Sequence, residues 1–180
     1  MRVLYSRLFL AGLALTVATG LLAQSRSPAQ ISSGMVPLGQ GITFFVRHAE
    51  PVGAGADGGL SDAGRARAIS LAALLKDAGI TAIFVTEFRR TRETAAPLAN
   101  SLGITPTIVG AADLKELAYK VRRTGGNALI VGHTNTLPVI MRDLGLPNVT
   151  IGDADFDNVF IAVPGSSNYG SSRLIRLHYR

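Results

Sequence analysis

The segment ITFFVRHAE, residues 42–50, decides both the expected fold and the expected site. Its first five residues are apolar or β-branched, which is typical of a short strand buried in a parallel sheet. Arg47 and His48 follow this strand directly, and a glycine-rich loop occupies residues 51–59. In open parallel sheets, ligand sites form beyond the carboxyl ends of the strands. The segment therefore predicts an α/β sheet with Arg47 and His48 at the edge where ligands bind.

The chain after this segment alternates predicted helices with predicted strands. Further strands are expected at residues 82–85, 105–109 and 128–131, and a terminal hairpin is expected from residues 159–163 and 172–179. Four helices are expected. The first is capped by Ser61, has Ile69, Ala72 and Ala73 on one face and stops at Gly79, and the second spans residues 89–102. The third is capped by Asp113 with Glu116 three residues later, and the fourth runs from Thr134 to about Gly145. This alternation predicts a three-layer α/β/α architecture with a mostly parallel central sheet.

Composition excludes several classes of protein. With 180 residues, the chain is long enough for one domain but too short for two ordinary ones. A hydrophobic fraction of 47% with only 17% charged residues excludes a disordered polyelectrolyte. The absence of cysteine excludes a disulfide scaffold, a cysteine nucleophile and a thiolate metal site. The net charge of +6 favours an anionic partner.

The N-terminal segment predicts export. Arg2 and Arg7 precede and flank an apolar run at residues 8–22, and small residues at Gly20 and Ala23 suit signal cleavage. The run is shorter than the ~20 residues that span a bilayer. We expect a signal peptide at residues 1–23, a flexible linker at residues 24–40 and a folded domain at residues 41–180.

Cleavage would remove two arginines and no acidic residue, lowering the net charge from +6 to +4. The expected location is periplasmic or secreted, with no stable membrane association after cleavage. An uncleaved membrane anchor is the alternative.

Basic side chains and histidines collect at the predicted strand ends. The second strand is followed by TEFRRTRET, residues 86–94, which contains Arg90, and the fourth is followed by Gly132, His133 and Thr134. Arginine forks match phosphate oxygens, and a helix beginning at Thr134 would offer free N–H groups to an anion. Together with Arg47 and His48, these residues predict a phosphoryl pocket.

Four blocks of sequence carry a resemblance to a known family. FVRHAE (residues 45–50), LSDAGRARA (60–68), RRTRETA (89–95) and VGHTNT (131–136) resemble the histidine phosphatase superfamily, also called the phosphoglycerate mutase-like or histidine acid phosphatase clan. The resemblance implies a phosphoglycerate mutase-like fold with His48 as nucleophile. It also implies that Arg47 and Arg90 bind the phosphoryl group and that His133 is the second pocket histidine. No metal or other cofactor is expected, because cationic side chains supply the charge.

The general acid is the point at which the chain departs from better-known members of that family. They carry a glutamate in an acid-rich segment after the third strand, and nothing so distinctive occurs here. Asp113 occupies the corresponding place, with helix capping as its alternative role. Glu50, beside the pocket in sequence, is the second candidate, and Asp155 and Asp157 are the third. His178 is expected to be a surface or structural side chain.

The predicted activity is metal-independent hydrolysis of phosphate monoesters through a phosphohistidine intermediate on His48. The expected substrate is a phosphorylated small molecule. The alternatives are a phosphohistidine-protein phosphatase, a phosphoglycerate mutase-type transferase and, in another class, a non-catalytic phosphate- or polyanion-binding module. Nucleic-acid binding is not expected, because the chain has no basic run interleaved with aromatic residues. The sequence makes no prediction of oligomeric state.

Overall fold

The computed structural model describes residues 40–53, 55, 58–165 and 172–179. The predicted signal peptide, and all of the predicted linker except Gln40, lie outside the described residues. Within the described part of the chain, no helix is both long enough and apolar enough to cross a bilayer.

A six-stranded sheet forms the centre of the domain, with the strands in the order β3-β2-β4-β1-β5-β6. The strands are β1 (Thr43–Arg47), β2 (Ile80–Val85), β3 (Thr107–Ile108), β4 (Asn127–Gly132), β5 (Asn158–Val163) and β6 (Arg173–His178). The first four are parallel to one another, β5 runs antiparallel to β1, and β6 pairs antiparallel with β5. The mostly parallel sheet and the terminal hairpin are confirmed, although β3 is shorter than expected.

The helices cover both faces of this sheet. They are α1 (Asp62–Leu75), α2 (Arg89–Leu102), α3 (Leu114–Arg123) and α4 (Leu137–Asp143). Alternate residues of β1 show how the layers are divided: Phe45 packs in one apolar cluster with α3 and α4, whereas Phe44 and Val46 pack in another with α1 and α2. This alternation is the two-residue period of a strand with both faces buried. The three-layer α/β/α fold is confirmed.

Four local expectations about three of the helices are wrong. The buried face of α1 is formed by Gly64, Ala68, Leu71 and Leu75, while Ile69 is 63% exposed. The helix also ends at Leu75, before the predicted stop at Gly79.

At α3, Asp113 occupies the cap position, but its side chain makes no capping hydrogen bond. Glu116 pairs instead with Lys120, with Oε1 3.1 Å from Nζ. The predicted capping box therefore does not form.

Helix α4 begins at Leu137 and not at the predicted Thr134. The Oγ1 of Thr136 accepts a hydrogen bond from the backbone N–H of His133 at 2.9 Å and holds residues 133–136 in a turn. Thr134 therefore lies in a turn, and a helix terminus at that residue cannot be part of the site.

Candidate active site

The two central strands bring His48 and His133 together. Arg47, the last residue of β1, lies opposite Gly132, the last residue of β4. The backbone N–H of His48 extends this pairing by donating to the carbonyl of Gly132 at 2.9 Å. As a result, the two imidazole rings lie with their centroids 5.2 Å apart. Both rings are buried, with 5% and 7% of their residue surfaces exposed.

The first turn of α2 brings Arg90 to the same place. Thr94, one turn further along the helix, is fully buried and connects α2 to the chain after His48. Its Oγ1 accepts a hydrogen bond from the N–H of Ala49 at 2.9 Å and donates to the carbonyl of Arg90 at 2.7 Å. Thr91 is also buried, and its hydroxyl donates to the carbonyl of Phe88 at 2.8 Å. The two threonines of the Arg-Thr-x-x-Thr pattern thus position the start of α2.

These elements enclose a cavity of about 350 Å³. Its described lining residues are Arg47, His48, Pro51, Gly53, Gly55, Arg90, His133, Thr134 and Asn135. All five residues predicted to bind or receive the phosphoryl group are therefore brought together. None of the described residues that line the cavity carries a carboxylate. No cluster of three potential metal ligands occurs among the residues that the structure describes.

One nitrogen of His48 is free for attack. Its Nδ1 lies 2.8 Å from the carbonyl oxygen of Ala49, which can only accept, so Nδ1 carries the proton of the neutral ring. Nε2 then holds the unshared electron pair. Burial lowers the pKa of His48 to about 4, and the positive charges of Arg90 and Arg47 act in the same direction. His48 is therefore neutral near pH 7.

His133 and Arg47 present buried nitrogen atoms without partners. Neither Nδ1 nor Nε2 of His133 has a hydrogen-bond partner among the described residues, and the same holds for Nε of Arg47. Arg47 is held by its Nη1, which donates to the carbonyls of Gly152 at 3.0 Å and Asp153 at 2.7 Å. Burial lowers the pKa of His133 to about 4, with further contributions from Arg90, His48 and Arg47. Since unpaired buried polar atoms cost about 1–3 kcal/mol each, these atoms favour a polar partner, which water or a ligand can supply.

Glu50, one of the two main candidates for the general acid, lies in an ion pair. Nε of Arg67 donates to both carboxylate oxygens at 2.8 and 2.9 Å, and Nη2 donates to Oε1 at 2.7 Å. Burial acts to raise the pKa of Glu50, but hydrogen bonds and positive charge from Arg67 outweigh it and leave the pKa below its usual value. Glu50 is therefore held as a carboxylate, which disfavours its predicted role as proton donor.

The other acid candidates also lie outside the cavity. Asp113 is exposed and lines a separate cavity with Lys115, Glu116 and Arg142. Asp155 Oδ2 accepts from the N–H of Gly152 at 2.9 Å and lies 3.5 Å from Nη2 of Arg176. The structure does not bring these carboxylates to His48, and the identity of the acid stays a prediction.

Asp157 pairs with the third histidine of the chain. Its Oδ2 lies 3.1 Å from Nδ1 of His178. His178 is exposed on β6, as its position in the sequence predicted. Arg92 is likewise exposed, and it donates to the carbonyl of Glu87.

Two phenylalanines beside the site were missed by sequence reasoning. Phe88, the residue before α2, contacts His133 edge-on with ring centroids 5.1 Å apart. Phe156 lies with its ring centroid 4.0 Å from Cζ of Arg47. Neither residue belongs to a recognisable motif. The one signal for Phe156 was an isolated aromatic residue within the acidic stretch DADFDN, residues 153–158.

Comparisons with known proteins agree with this geometry. The model of the Histidine phosphatase superfamily (branch 1) matches residues 43–122. No curated protein sequence matches the chain.

Several solved structures share the fold. The protein histidine phosphatase SixA complexed with tungstate is 16% identical, covering 76% of this chain and 96% of that one with a TM-score of 0.58. The mycobacterial glucosyl-3-phosphoglycerate phosphatase in complex with inorganic phosphate is 16% identical, with coverages of 74% and 95% and a TM-score of 0.60. The alpha-ribazole phosphatase from Shigella flexneri is 14% identical, with coverages of 76% and 96% and a TM-score of 0.56.

At these identities the solved structures show the shared fold. The family match covers β1 with its Arg47-His48 pair, α1 and α2. Beyond the matched residues, β4 supplies His133 to the same cavity. Residues 43–122 thus match the histidine phosphatase superfamily, and the fold and the blocks of sequence at the strand ends agree with that match.

Proposed function

We propose that this protein is a phosphatase that hydrolyses phosphate monoesters through a phosphohistidine formed on His48. The observation that carries the proposal is the state of His48 in its cavity. Its Nδ1 proton is held by the carbonyl of Ala49, so the lone pair of Nε2 is left for attack. Arg47, Arg90 and His133 line the same cavity, and unpartnered nitrogens of Arg47 and His133 support a phosphoryl ligand there.

The proposed reaction has two displacements. In the first, the Nε2 lone pair of His48 attacks phosphorus and forms an N–P bond while the bond to the leaving oxygen breaks. The leaving oxygen takes a proton from solvent or from the general acid, whose identity stays a prediction, and departs as an alcohol. In the second, water attacks phosphorus, the N–P bond breaks and its electron pair returns to Nε2, while the proton of the water passes to solvent. Arg47 and Arg90 stabilise charge on the equatorial oxygens, and neutral His133 donates its one N–H.

A second candidate activity follows from the missing carboxylate in the described lining of the cavity. A phosphohistidine or other phosphoramidate has a leaving nitrogen that departs more readily than an alkyl alcohol. Such a substrate depends less on a positioned carboxylic acid. A phosphohistidine-protein phosphatase therefore stays an alternative. A phosphoglycerate mutase-type transferase and a non-catalytic phosphate- or polyanion-binding module are further alternatives.

The first experiment tests the nucleophile. The purified protein should hydrolyse p-nitrophenyl phosphate in the presence of a metal chelator, and His48→Ala should reduce kcat by at least about 10³-fold. His178→Ala is the matched control, because His178 is exposed on β6, and its turnover should equal that of wild type. A protein that binds inorganic phosphate but turns over no ester would support the binding module. Unchanged turnover in His48→Ala would exclude His48 as the nucleophile.

A second experiment locates the acid. An aryl phosphate, an alkyl phosphate and phosphoramidate are compared in wild type, Asp113→Asn and Glu50→Gln. The true acid should matter most for the alkyl ester, whose leaving group is the poorest. A wild-type protein that hydrolyses phosphoramidate and aryl phosphate, but hardly the alkyl ester, would favour a phosphohistidine-protein phosphatase. Equal rates on all three would contradict it.

We further propose that the enzyme is exported to the periplasm or secreted and acts there on a phosphorylated small molecule. The support is the sequence of residues 1–23, whose basic start and apolar run are typical of a signal peptide. Fractionation of producing cells and N-terminal sequencing of the purified protein test this. A mature chain starting near residue 24 is expected. An intact chain in the membrane fraction would favour the uncleaved anchor, and an intact chain in the cytoplasm would contradict export.

A further inference from the structure

The two phenylalanines missed by sequence reasoning have equivalent contacts on opposite sides of the histidine pair. Phe156 has Cζ of Arg47 4.0 Å from its ring centroid and the ring of His48 at 6.0 Å. Phe88 has Cζ of Arg90 4.6 Å from its centroid and the ring of His133 at 5.1 Å. Each phenylalanine thus contacts one arginine and one histidine of the cavity.

These contacts suit a site that must hold a cation and still leave it able to bind an anion. A guanidinium within about 6 Å of an aromatic centroid is attracted by the negative face of the ring. The ring accepts no ordinary hydrogen bond from the guanidinium, and it brings no negative charge. A carboxylate in the same place would hold the arginine equally well, but it would neutralise the charge and occupy the N–H donors, as Glu50 does with Arg67.

The phenylalanine rings also contact the imidazoles. The four rings form a continuous row in the order Phe156, His48, His133 and Phe88, with neighbouring centroids 5.1–6.0 Å apart. Both phenylalanines are partly buried, and neither is among the described residues that line the cavity. An apolar ring against an imidazole disfavours its charged form.

We propose that Phe156 and Phe88 are positioning residues, each of which holds one phosphate-binding arginine in place and shields the adjacent imidazole from water. The proposal rests on the phosphatase function proposed above. It assigns a role to two residues outside the sequence motifs of the site, and it treats the segment from Gly152 to Phe156 as the support of Arg47. In that segment two backbone carbonyls and one ring contact the same guanidinium.

The test replaces each ring by leucine, which keeps apolar volume but removes the π face, and by tyrosine, which keeps both. Phe156→Leu and Phe88→Leu should raise KM for p-nitrophenyl phosphate and Ki for inorganic phosphate by about three- to tenfold. The tyrosine variants should stay within about twofold of wild type. Tyr119→Leu is the control, because Tyr119 is exposed on α3 and has Cζ of Arg123 5.5 Å from its ring. Thermal unfolding checks that each variant is folded.

The pH profile separates positioning from a general loss of stability. Admitting water should move the pKa values of His48 and His133 upward, so the acid limb of kcat/KM should rise by about half to one pH unit in the leucine variants. The charged groups acting on His48 are Arg47, Glu50, Arg90 and His133, and those on His133 are Arg47, Arg90 and His48. None of them is changed in these variants.

An NMR titration of the histidine ring protons makes the outcome independent of turnover. Raised imidazole pKa values in the leucine variants of a protein that turns over no ester would support the shielding role while the phosphatase function fails. An active wild type whose leucine variants keep their KM, Ki and acid limb would overturn the positioning proposal alone. Tyrosine variants as impaired as the leucine variants would also overturn it.

Discussion

Arg67 and Arg47 both lie near Glu50, but they differ in what their side chains bind. Arg67 gives three hydrogen bonds to the carboxylate of Glu50 and a fourth to the carbonyl of Tyr179 at 3.2 Å. Arg47 is held by two neutral carbonyls and the ring of Phe156, and its buried Nε has no partner in the part of the chain that the structure describes. A carboxylate neutralises an arginine, whereas a carbonyl or a ring leaves its positive charge in place. We therefore propose that Arg67 stabilises the fold and that Arg47 binds an anion.

Glu50 and His133 differ in the same way, since the polar groups of one have protein partners and those of the other do not. Glu50 joins the loop after β1 to α1 by its side chain, and its carbonyl accepts from the N–H of Ser61 at 2.9 Å. Gly64 packs so closely on this carbonyl that a Cβ there would lie 2.2 Å from the oxygen. By contrast, His133 has two buried nitrogens that nothing in the described protein satisfies. The polar atoms around Glu50 are thus satisfied by the protein itself, whereas those of His133 are left for water or a ligand.

The largest expected effect separates activity from stability: replacing a phosphate-binding arginine should lower activity, whereas replacing Arg67 should lower stability. Arg90→Ala should lower kcat/KM by about 10²–10³-fold, because one cationic donor to the phosphoryl oxygens is lost. Arg67→Ala should instead lower the free energy of unfolding by about 2 kcal/mol, because the partly buried carboxylate of Glu50 loses its partner. Steady-state kinetics and chemical denaturation of both variants make the measurement. Loss of activity in Arg67→Ala as large as in Arg90→Ala would remove the distinction.

Protonation of the histidine pair should inactivate the enzyme only in strong acid. The lowered pKa of His48, about 4, places the acid limb of kcat/KM near pH 4, so protonation of His48 alone should put activity at pH 3 about tenfold below its plateau. The rings lie 5.2 Å apart and are expected to titrate as a pair. An acid limb near 6.5, the ordinary pKa of histidine, would show that the rings are hydrated in the free enzyme.

The same shift has a consequence for stability with a definite sign. Because the folded-state pKa values lie below the unfolded value of 6.5, the unfolded chain binds more protons between pH 6.5 and 4. The contribution of these rings to stability is therefore present above pH 6.5 and is lost as the pH falls towards 4. The free energy of unfolding should decline over this window, and less steeply in His133→Asn. An equal decline in that variant would assign the effect to other groups.

A smaller effect is expected from the threonine that connects α2 to the nucleophile. Thr94→Val keeps the shape of the side chain but leaves the N–H of Ala49 without its acceptor. We expect a loss of about 1–3 kcal/mol in unfolding free energy and about tenfold in kcat/KM, as His48 and Arg90 lose their common support. Thr124→Val is the control, since its hydroxyl donates to the carbonyl of Lys120 on α3. Similar losses of kcat/KM in both variants would argue against a positioning role.

The smallest catalytic effect is expected at Glu50. Glu50→Gln should leave kcat/KM for an alkyl phosphate, the substrate most sensitive to loss of a general acid, within about twofold of wild type, while stability falls by about 1 kcal/mol. The lowered pKa of Glu50 means that its stabilising contribution is present well above 4.5 and is lost as the pH falls through the folded-state pKa. This dependence should disappear in the variant. A loss of kcat/KM much larger than twofold would return Glu50 to the catalytic residues.

The sheet and the position of the site follow from local signals. The strand at residues 43–47, which ends at Arg47 and is followed by His48, has a buried apolar pattern. Because ligand sites form at the carboxyl ends of parallel strands, the sequence also places His133 beside His48. Arg90 follows from the same rule together with the start of α2, whose bounds at Arg89–Leu102 match the prediction. These features depend on the residue pattern within one element or on a general rule for parallel sheets.

The features that could not be predicted depend on contacts distant in sequence or on competing local ones. The start of α4 is displaced because the hydroxyl of Thr136 captures the N–H of His133, an alternative that the helical pattern does not reveal. The buried face of α1 is set by the approach of Gly64 and Ala68 to the loop, not by its largest apolar residue, Ile69. The pairing of Glu50 with Arg67, 17 positions away, disfavours Glu50 as the acid, and the sequence pattern does not reveal it.

The most direct test of the account is to trap the phosphoryl group on the enzyme. The protein is mixed with a phosphate ester, quenched in alkali, in which a phosphohistidine survives but an acyl phosphate does not, and digested for mass spectrometry. The account predicts one added phosphoryl group on the peptide that contains His48, and none in His48→Ala. A phosphoryl group found instead on His133, or steady turnover with no phosphoenzyme detected on a millisecond quench, would contradict it.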